Sequence, residues 1–330
     1  MKKLWIPVFI LMLAVVTACG NNGGNNAGGS SASTSPSSAS PAASAPAASA
    51  ESTAAAAEGS TGTFTYQSDA GPVEVPVNPQ RVIVLSGFTG NVLALGVNLV
   101  GVDSWSKNNP NFADKLKDVE AVSEEDLEKI IELKPDLIIA YDSVKNLDKL
   151  KQIAPTVVYT YAKVDYLTQH IEIGKALNKE KEAQAWVDDF KARMEAAGEE
   201  IRAKLGDKTI SVMENDAKQF YLFGDHWGRG TEILYQGMKL NMPTKVKDAV
   251  AKDGWYAVSL EVLPEYMGDY VIFSKSSDMD NAFQQTETYK NIPAVKNNQV
   301  YEVDAKSFYF NDALTLDYQL DFFIKMFLGK

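Results

Sequence analysis

The sequence predicts an α/β fold of two Rossmann-like lobes, each built on a central, mostly parallel sheet, with one long α-helix joining the lobes. Three observations lead to this prediction. Short β-branched runs alternate with helical segments, a long stretch near the middle has helical periodicity, and part of the first half recurs in the second half. Strands that are buried on both faces of a parallel sheet have such continuous apolar sequences. Their alternation with helices is typical of the α/β class.

The predicted strands fall into two groups, one in each half of the chain. The first group is "RVIVLS" (81–86), "LVGVDS" (99–104), "DLIIAYD" (136–142) and "TVVYTY" (156–161), and the second is "TISVMEN" (209–215), "YVIFSK" (270–275) and "VYEVDA" (300–305). A folded region of about 270 residues is longer than a single hydrophobic core usually serves. We therefore expect an N-terminal lobe at 63–178 and a C-terminal lobe at 207–330.

The stretch between the lobes, residues 179–206, predicts the joining helix. Apolar residues recur there every three or four positions: Ala183, Trp186, Val187, Phe190, Met194, Ala197, Ile201 and Leu205. A helix of this length would reach roughly 38 Å, the width of a whole domain, and Gly206 would end it. After it, a last helix carries Leu316, Leu320, Phe323 and Phe327 on one face.

The N-terminus predicts export and a lipid anchor. Lys2 and Lys3 precede an apolar core that is too short for a transmembrane helix, and small residues follow before Cys19. Residues 1–18 are therefore interpreted as a signal peptide whose cleavage site resembles a lipobox. Cys19 is the only cysteine, so it would carry lipid rather than form an internal disulfide. Residues 19–62 are almost wholly Gly, Asn, Ser, Ala, Thr and Pro, and predict a disordered tether on what is interpreted as a Gram-positive cell surface.

The charge balance argues against nucleic acid as a partner. The chain has 43 Asp and Glu against 32 Lys and Arg, a formal net charge of −11. Loss of Lys2 and Lys3 with the signal peptide would make the mature chain more negative by two units. Such a chain is unsuited to binding nucleic acid or anionic lipid through its overall field.

An internal repeat supports two related lobes. "LEKIIELKPDLII" (127–139) aligns without gaps with "LEVLPEYMGDYVI" (260–272), and each copy is expected to be a short helix that leads into a strand. With the joining helix and the lipobox, these segments resemble the helix-linked substrate-binding lipoproteins of ABC importers for iron-siderophores and vitamin B12. The resemblance covers residues 64–330 and implies a ligand cleft between the lobes and a monomeric protein.

One motif resembles a particular subgroup of that family. "FGDHWGRGTEILYQ" (223–236) is similar to the signature of the ferric-hydroxamate-binding members. By residue-by-residue transfer, the resemblance implies that the ligand pocket is lined by Tyr141, Tyr161, Trp227, Arg229 and Tyr309, although family members have Trp at the last position. Further pocket candidates are Phe88, Trp105, Tyr166 and Asn311, and the loop of Phe88 also contains Thr89 and Asn91.

Three other chemistries compete for this motif. A protein metal site is disfavoured because the chain has two histidines, His170 and His226, and neither has a His or Cys at ligand spacing. A phosphate loop fails because Ile233 stands where G-x-G-x-x-G requires glycine. Neither histidine neighbours a serine, and no G-x-S-x-G is present, so an enzyme, for example a tethered hydrolase, is the weaker hypothesis.

The remaining interpretation is a binding site for a preformed iron chelate, in which the bound molecule itself supplies all the atoms that coordinate the iron. A trihydroxamate supplies six hard oxygens to Fe³⁺, so the protein needs no cofactor and has only to bind the chelate's surface. Arg229 would face the hydroxamate oxygens and Trp227 the hydrocarbon, while the glycines give clearance for a bulky ligand. A helix that begins near Thr231 would add its positive end to the site. His226 is interpreted as an exposed or structurally hydrogen-bonded loop residue.

The predicted function is capture of a ferric hydroxamate siderophore and its delivery to an ABC permease dimer with its ATPase. An alternative ligand is a citrate-hydroxamate siderophore or another metal chelate. The single convincing pocket arginine favours neutral or cationic chelates. The resemblance also implies that one acidic residue on each lobe docks to the permease, here Glu128 and Glu261, with Glu132 and Glu265 as second choices.

Overall fold

Each half of the chain forms one five-stranded sheet, where the sequence predicts four strands in the first half and three in the second. The structure is a computed structural model, and it describes residues 62–216 and 219–330. The predicted signal peptide, Cys19 and nearly all of the predicted tether lie outside the described residues. Among the described residues, no helix is both long enough and apolar enough to cross a membrane.

In chain order, the strands are β1 (Thr63–Ser68), β2 (Gly71–Pro76), β3 (Val82–Leu85), β4 (Leu99–Val102), β5 (Glu120–Ala121), β6 (Leu137–Tyr141), β7 (Thr156–Tyr159), β8 (Ile210–Asn215), β9 (Phe220–Phe223), β10 (Trp255–Val258), β11 (Tyr270–Lys275) and β12 (Val300–Asp304). β1 and β2 form an antiparallel hairpin apart from the two larger sheets.

The α-helices are α1 (Thr89–Ala94), α2 (Ser104–Lys107), α3 (Leu127–Glu132), α4 (Leu147–Ile153), α5 (Tyr166–Ala176), α6 (Glu180–Leu205), α7 (Thr244–Val250), α8 (Glu287–Lys290), α9 (Pro293–Lys296), α10 (Ala305–Phe308) and α11 (Ala313–Leu328). Short 3₁₀ turns occur at Pro110–Phe112, Leu263–Glu265 and Ala282–Gln285, and a π-helical turn at Glu232–Gly237.

The first sheet has the order β5-β4-β3-β6-β7 and is parallel throughout. Alternate residues of its central strands enter two different cores: Val82, Val84, Leu137 and Ile139 on one face, Ile83, Leu85, Ile138 and Ala140 on the other. Both faces are therefore covered. This explains why the strand sequences are continuously apolar instead of alternating with polar residues.

The second sheet has the order β10-β9-β8-β11-β12, which is the order of the first sheet with each strand number raised by five. Unlike the first sheet, the second sheet is not parallel throughout, because β9 runs antiparallel to both β8 and β10. In this sheet β9 alone runs against the other four strands, because β10 points in the same direction as β8, so the prediction of mostly parallel sheets is confirmed in both lobes. The short connection from β8 to β9 cannot carry a crossover, so it joins antiparallel neighbours.

The internal repeat corresponds to equivalent places in the two sheets. Asp136, before β6, accepts the backbone N–H groups of Gln80 and Arg81 at 2.6 and 2.9 Å. Asp269, before β11, accepts the backbone N–H of Thr209 at 2.9 Å. Each carboxylate thus lies just before one strand and accepts hydrogen bonds from the backbone just before the neighbouring strand. Asp136 connects β6 with β3 in this way, and Asp269 connects β11 with β8. The helix of the second copy is reduced to the 3₁₀ turn Leu263–Glu265.

Helix α6 links the lobes. Its 26 residues extend about 39 Å, with acidic residues in the first turn, basic residues in the last, and Gly206 at its end with φ 58°. It packs on α5 of the first lobe and on α11 and the π-helical turn of the second. Trp186 donates its indole N–H to Asp317 on α11 at 2.9 Å, so the helix is tied to elements of both lobes.

Candidate functional site

A cavity of about 450 Å³ lies between the two lobes, and most of its wall is aromatic. We call it the aromatic cavity. Its lining residues are Gly87, Tyr141, Tyr161, Glu214, Tyr221, Phe223, Trp227, Gly228, Arg229, Trp255, Tyr309, Phe310 and Asn311. The first lobe contributes residues at the carboxyl ends of its strands, where open α/β sheets place their ligands.

Two further cavities adjoin it. A second cavity of about 400 Å³ shares Tyr141, Tyr161 and Asn311 with the aromatic cavity. A third, of about 540 Å³, shares Glu214, Tyr221, Arg229 and Tyr309 with it. The three cavities are parts of one cleft, because adjoining cavities share lining side chains.

The structure places the sequence-predicted pocket residues along this cleft. Six of them line the aromatic cavity: Tyr141, Tyr161, Trp227, Arg229, Tyr309 and Asn311. Phe88 and Tyr166 line the second cavity, and Trp105 lines the third. Thr89 and Asn91 are buried and line none of the three cavities.

A row of aromatic rings crosses from one lobe to the other. Phe88 meets Tyr141 edge to face with centroids 4.7 Å apart, and Tyr141 meets Tyr161 in the same way at 5.9 Å. Tyr161 and Trp227 are tilted relative to each other, with centroids 6.4 Å apart. Burial raises the pKa of Tyr141 and of Tyr161, so both phenols are neutral hydrogen-bonding groups at physiological pH. The row offers apolar surface with phenol groups along it.

A second stack lies where the aromatic cavity meets the third cavity. Trp105 is 61% exposed and stacks on Tyr309 with centroids 4.9 Å apart. The Arg229 guanidinium carbon lies 4.2 Å from the centroid of Tyr309 and 4.6 Å from that of Phe223, so the cation contacts both rings. Tyr309 therefore holds Arg229 in position as well as lining the cavity.

Arg229 is paired within the protein, which the sequence did not lead us to expect. Its Nε and Nη2 donate to the two carboxylate oxygens of Glu214 at 3.0 and 2.9 Å, and its Nη1 donates to the Trp227 carbonyl at 3.0 Å. The expected free cation is therefore a neutral pair with a bidentate geometry. Glu214 belongs to a strand that looked wholly structural; a carboxylate inside an apolar run was the signal that could have revealed it.

The backbone of the motif takes positive φ at three consecutive residues, Gly228 (66°), Arg229 (54°) and Gly230 (82°). A Cβ at position 228 would lie 2.2 Å from the Tyr309 carbonyl oxygen, and one at position 230 would lie 2.5 Å from the Phe323 ring. The predicted clearance for a bulky ligand is therefore wrong: the glycines are required because the loop packs against the protein's own chain.

The α-helix that was predicted to begin near Thr231 is not found in the structure. The segment after Thr231 is a six-residue π-helical turn, and the buried carboxylate of Glu232 accepts the Gly228 N–H at 3.1 Å and the Asn311 side-chain N–H at 2.8 Å. Burial raises the pKa of Glu232, and these hydrogen bonds act in the opposite direction. The Gly228 N–H, which could have faced a ligand, is thus satisfied internally.

His226 is exposed and hydrogen bonded to Asp225, as expected for a loop histidine. Within residues 62–216 and 219–330, no group of three or more His, Cys, Asp or Glu side chains could hold a metal ion. Several cavity residues were missed from the sequence: Tyr221 and Phe223 on β9, Trp255 on β10, and Phe310. The short strands β9 and β10 lack the long β-branched runs by which the other strands were recognised.

The two acidic residues predicted to dock a permease lie at equivalent places ahead of β6 and β11. Glu128 lies in the first turn of α3. Glu261 is exposed in a turn before Leu263–Glu265, and not on the helix that the repeat suggested. Glu265, one of the second choices, is paired with Lys245.

The family is decided by comparison with known proteins. A profile described as "Periplasmic binding protein" matches residues 82–307, which include both sheets and the joining helix. The chain belongs to this family. Its members are binding proteins, in agreement with the expectation that the chain is not an enzyme.

Relatives within the family are similar over most of their length. The chain is 35% identical to the iron(3+)-hydroxamate-binding protein FhuD of Bacillus subtilis (strain 168), covering 97% of this chain and 96% of that protein. It is also 35% identical to the iron(3+)-hydroxamate-binding protein YxeB of the same organism, over 81% of this chain and 85% of that one. The structure of FhuD2 from Staphylococcus aureus with bound ferrioxamine B has a TM-score of 0.71 at 34% identity, covering 76% of this chain and 99% of that one.

Proposed function

We propose that this protein is an extracytoplasmic receptor that captures ferric hydroxamate siderophores, of the ferrioxamine or ferrichrome type, and delivers them to an ABC permease. The observation that carries the proposal is the aromatic cavity between the lobes, with Arg229 in its wall. Its relatives support the ligand class, since similar proteins are named for binding iron(3+)-hydroxamate.

The chemistry of the cavity suits a chelate that arrives complete. Fe³⁺ in a trihydroxamate has six hard oxygen ligands, so the protein supplies no ligand and no cofactor. The rings of Tyr141, Tyr161 and Trp227 would cover the hydrocarbon backbone of the chelate. Three of the five guanidinium N–H groups of Arg229 have partners among the described residues, which leaves two for a hydroxamate oxygen.

Delivery and anchoring are further parts of the proposal. Glu128 and Glu261, one on each lobe, would pair with basic residues of a two-fold permease dimer, and the partner ATPase would supply the energy of transport. Lipid on Cys19 would hold the receptor at the outer face of the cell membrane. A Cys19→Ala variant should then leave the membrane fraction, and unchanged membrane association would contradict the anchor.

Quenching of tryptophan fluorescence tests the ligand class. Ferrioxamine B and ferrichrome should quench the purified protein saturably, because Trp227 and Trp255 line the cavity. The gallium complex of the same siderophore, which lacks the absorption bands of iron, should compete for the site. Ferric citrate serves as the comparison ligand. If neither ferric hydroxamate binds, the proposal fails; tighter binding of ferric citrate would favour the alternative class of chelate.

A further inference from the structure

Glu214 is a carboxylate in the wall of the cleft that the proposed function does not use. It lies on β8, the central strand of the second sheet, between the buried residues Met213 and Asn215. It lines both the aromatic cavity and the third cavity. A charged side chain in such a place requires partners, and the identity of those partners indicates its role.

Its carboxylate is held from two directions. Besides the bidentate contact from Arg229, the Ser274 hydroxyl on the neighbouring strand β11 donates to Glu214 Oε2 at 2.8 Å. The side chains of Arg229 and Glu214 are only 9% and 19% exposed. The geometry is therefore fixed by two adjacent strands and by the rings that contact the guanidinium.

The pair determines the charge that a ligand meets. Glu214 and Arg229 are the charged members of the aromatic cavity's lining, and the remaining lining residues are aromatic, glycine or asparagine. Together the pair has zero net charge. In the third cavity the same carboxylate is joined by Asp216, Asp278 and Lys306, and Lys306 is paired with Asp278 at 2.8 Å. In the second cavity Lys163 is paired with Asp69 at 2.7 Å and is accompanied by Asp165 and Glu232. The cleft thus lacks the excess of positive charge that an anionic chelate would need.

We infer that Glu214 is a specificity-determining residue, which cancels the charge of Arg229 and makes the cleft select neutral or cationic ferric hydroxamates over chelates with free carboxylates. The inference rests on the proposed function and specifies its ligand class. An anionic ligand group that approaches Arg229 must compete with a carboxylate already in bidentate contact. A neutral hydroxamate oxygen can use the two remaining N–H groups without breaking the pair.

The test uses three ferric complexes that share one iron-binding core. Ferrioxamine B has a pendant ammonium and a charge of +1; its N-acetyl derivative is neutral; its N-succinyl derivative ends in a carboxylate and has a charge of −1. Dissociation constants from calorimetry at low ionic strength give the ratio of anion to cation affinity. In Glu214→Gln this ratio should rise about tenfold, because Arg229 is left unpaired, and added salt should reduce the rise.

Two further variants complete the cycle. Arg229→Gln leaves Glu214 without its cation, so the ratio should fall instead, and this variant tests the inference even if Glu214→Gln folds poorly. The double variant restores zero net charge, so its ratio should return to the wild-type value although all three affinities are lower. Glu302→Gln makes the same charge change at the pair of Glu302 on β12 with Lys275 and should leave the ratio unaltered.

The outcomes separate this inference from the proposed function. If the wild type binds none of the three complexes, the proposed function itself fails. If all three bind and Glu214→Gln weakens them equally, Glu214 only positions Arg229 and the inference is overturned. An unchanged ratio in both single variants overturns it as well.

Discussion

His170 and Asn91 are joined by a 2.9 Å hydrogen bond between Nδ1 and Oδ1, and the same Asn91 oxygen accepts the backbone N–H of Ala313 at 3.0 Å. Asn91 lies on α1 of the first lobe, and Ala313 begins α11 of the second. Because Oδ1 can only accept, His170 must donate from Nδ1. A neutral, buried histidine thus orients the amide that connects the two lobes.

The first prediction concerns the pH dependence of stability. Burial lowers the pKa of His170 from 6.5 to about 4, with Asp317 acting in the opposite direction. Between these values the unfolded chain binds a proton that the folded chain does not. The contribution of His170 is therefore complete above pH 6.5 and is lost as the pH falls toward 4, up to about 3 kcal/mol.

Asp312, the N-cap residue immediately before α11, has the opposite dependence. Burial raises its pKa from 3.8 to about 7, so its contribution is present at low pH and is lost as the pH rises through this range. Urea unfolding of His170→Gln should show stability falling with pH between about 4 and 7 relative to the wild type. Asp312→Asn should show stability rising with pH relative to the wild type. If the stability difference from the wild type had the same pH dependence in both variants, the opposite contributions assigned to His170 and Asp312 would be wrong.

The second prediction concerns ligand affinity. Loss of one pocket contact in Trp227→Ala or Arg229→Ala should cost about 1.5 to 3 kcal/mol, roughly ten- to a hundredfold in the dissociation constant for ferrioxamine B. Calorimetry measures it directly. Trp186→Phe is the matched control, because Trp186 lies on α6 against Phe190 and lines none of the three cavities. Equal losses in the control would place the effect in folding and not in binding.

The third prediction separates backbone strain from crowding at the motif. Gly230 and Gly96 both have positive φ, but a Cβ at 230 would meet the Phe323 ring, whereas one at 96, just after α1, would meet no atom of the described chain within 4 Å beyond its chain neighbours. Gly96→Ala should cost about 1 kcal/mol of unfolding free energy and Gly230→Ala about 3 kcal/mol. Denaturant titration decides, and equal costs would show that the loop can move away from Phe323.

The fourth prediction concerns the permease. Glu128→Ala and Glu261→Ala should bind ferric hydroxamate as tightly as the wild type, because neither residue lines any of the three cavities. Uptake of radioactive iron by cells that carry only the double variant should fall at least about tenfold. Glu265→Ala is the control, since its carboxylate is already paired with Lys245. A comparable loss of uptake in the control would refute the assignment of docking to Glu128 and Glu261.

Local sequence was sufficient for the long elements. α6 and the strands β3, β6, β8 and β11 were predicted because each has a helical periodicity or a continuous apolar run. β9 (FYLF) and β10 (WYAV) are rich in aromatic residues and lack the β-branched runs of the other strands, so they were not recognised from the sequence. Their directions, and with them the positions of Tyr221 and Trp255, could not be obtained from local pattern.

The order of residue types was enough to identify the class of the fold, the two related halves, the helix between them, and the motif at 223–236, whose Trp227 and Arg229 line the cleft. The pairing and packing of that motif depend on contacts between distant parts of the chain. The partners of Arg229 include Glu214 on β8, Phe223 on β9 and Tyr309 near the C-terminus, and they meet only when the chain is folded. Charge compensation and ring stacking depend on distance in space, and no spacing rule within the motif contains that information.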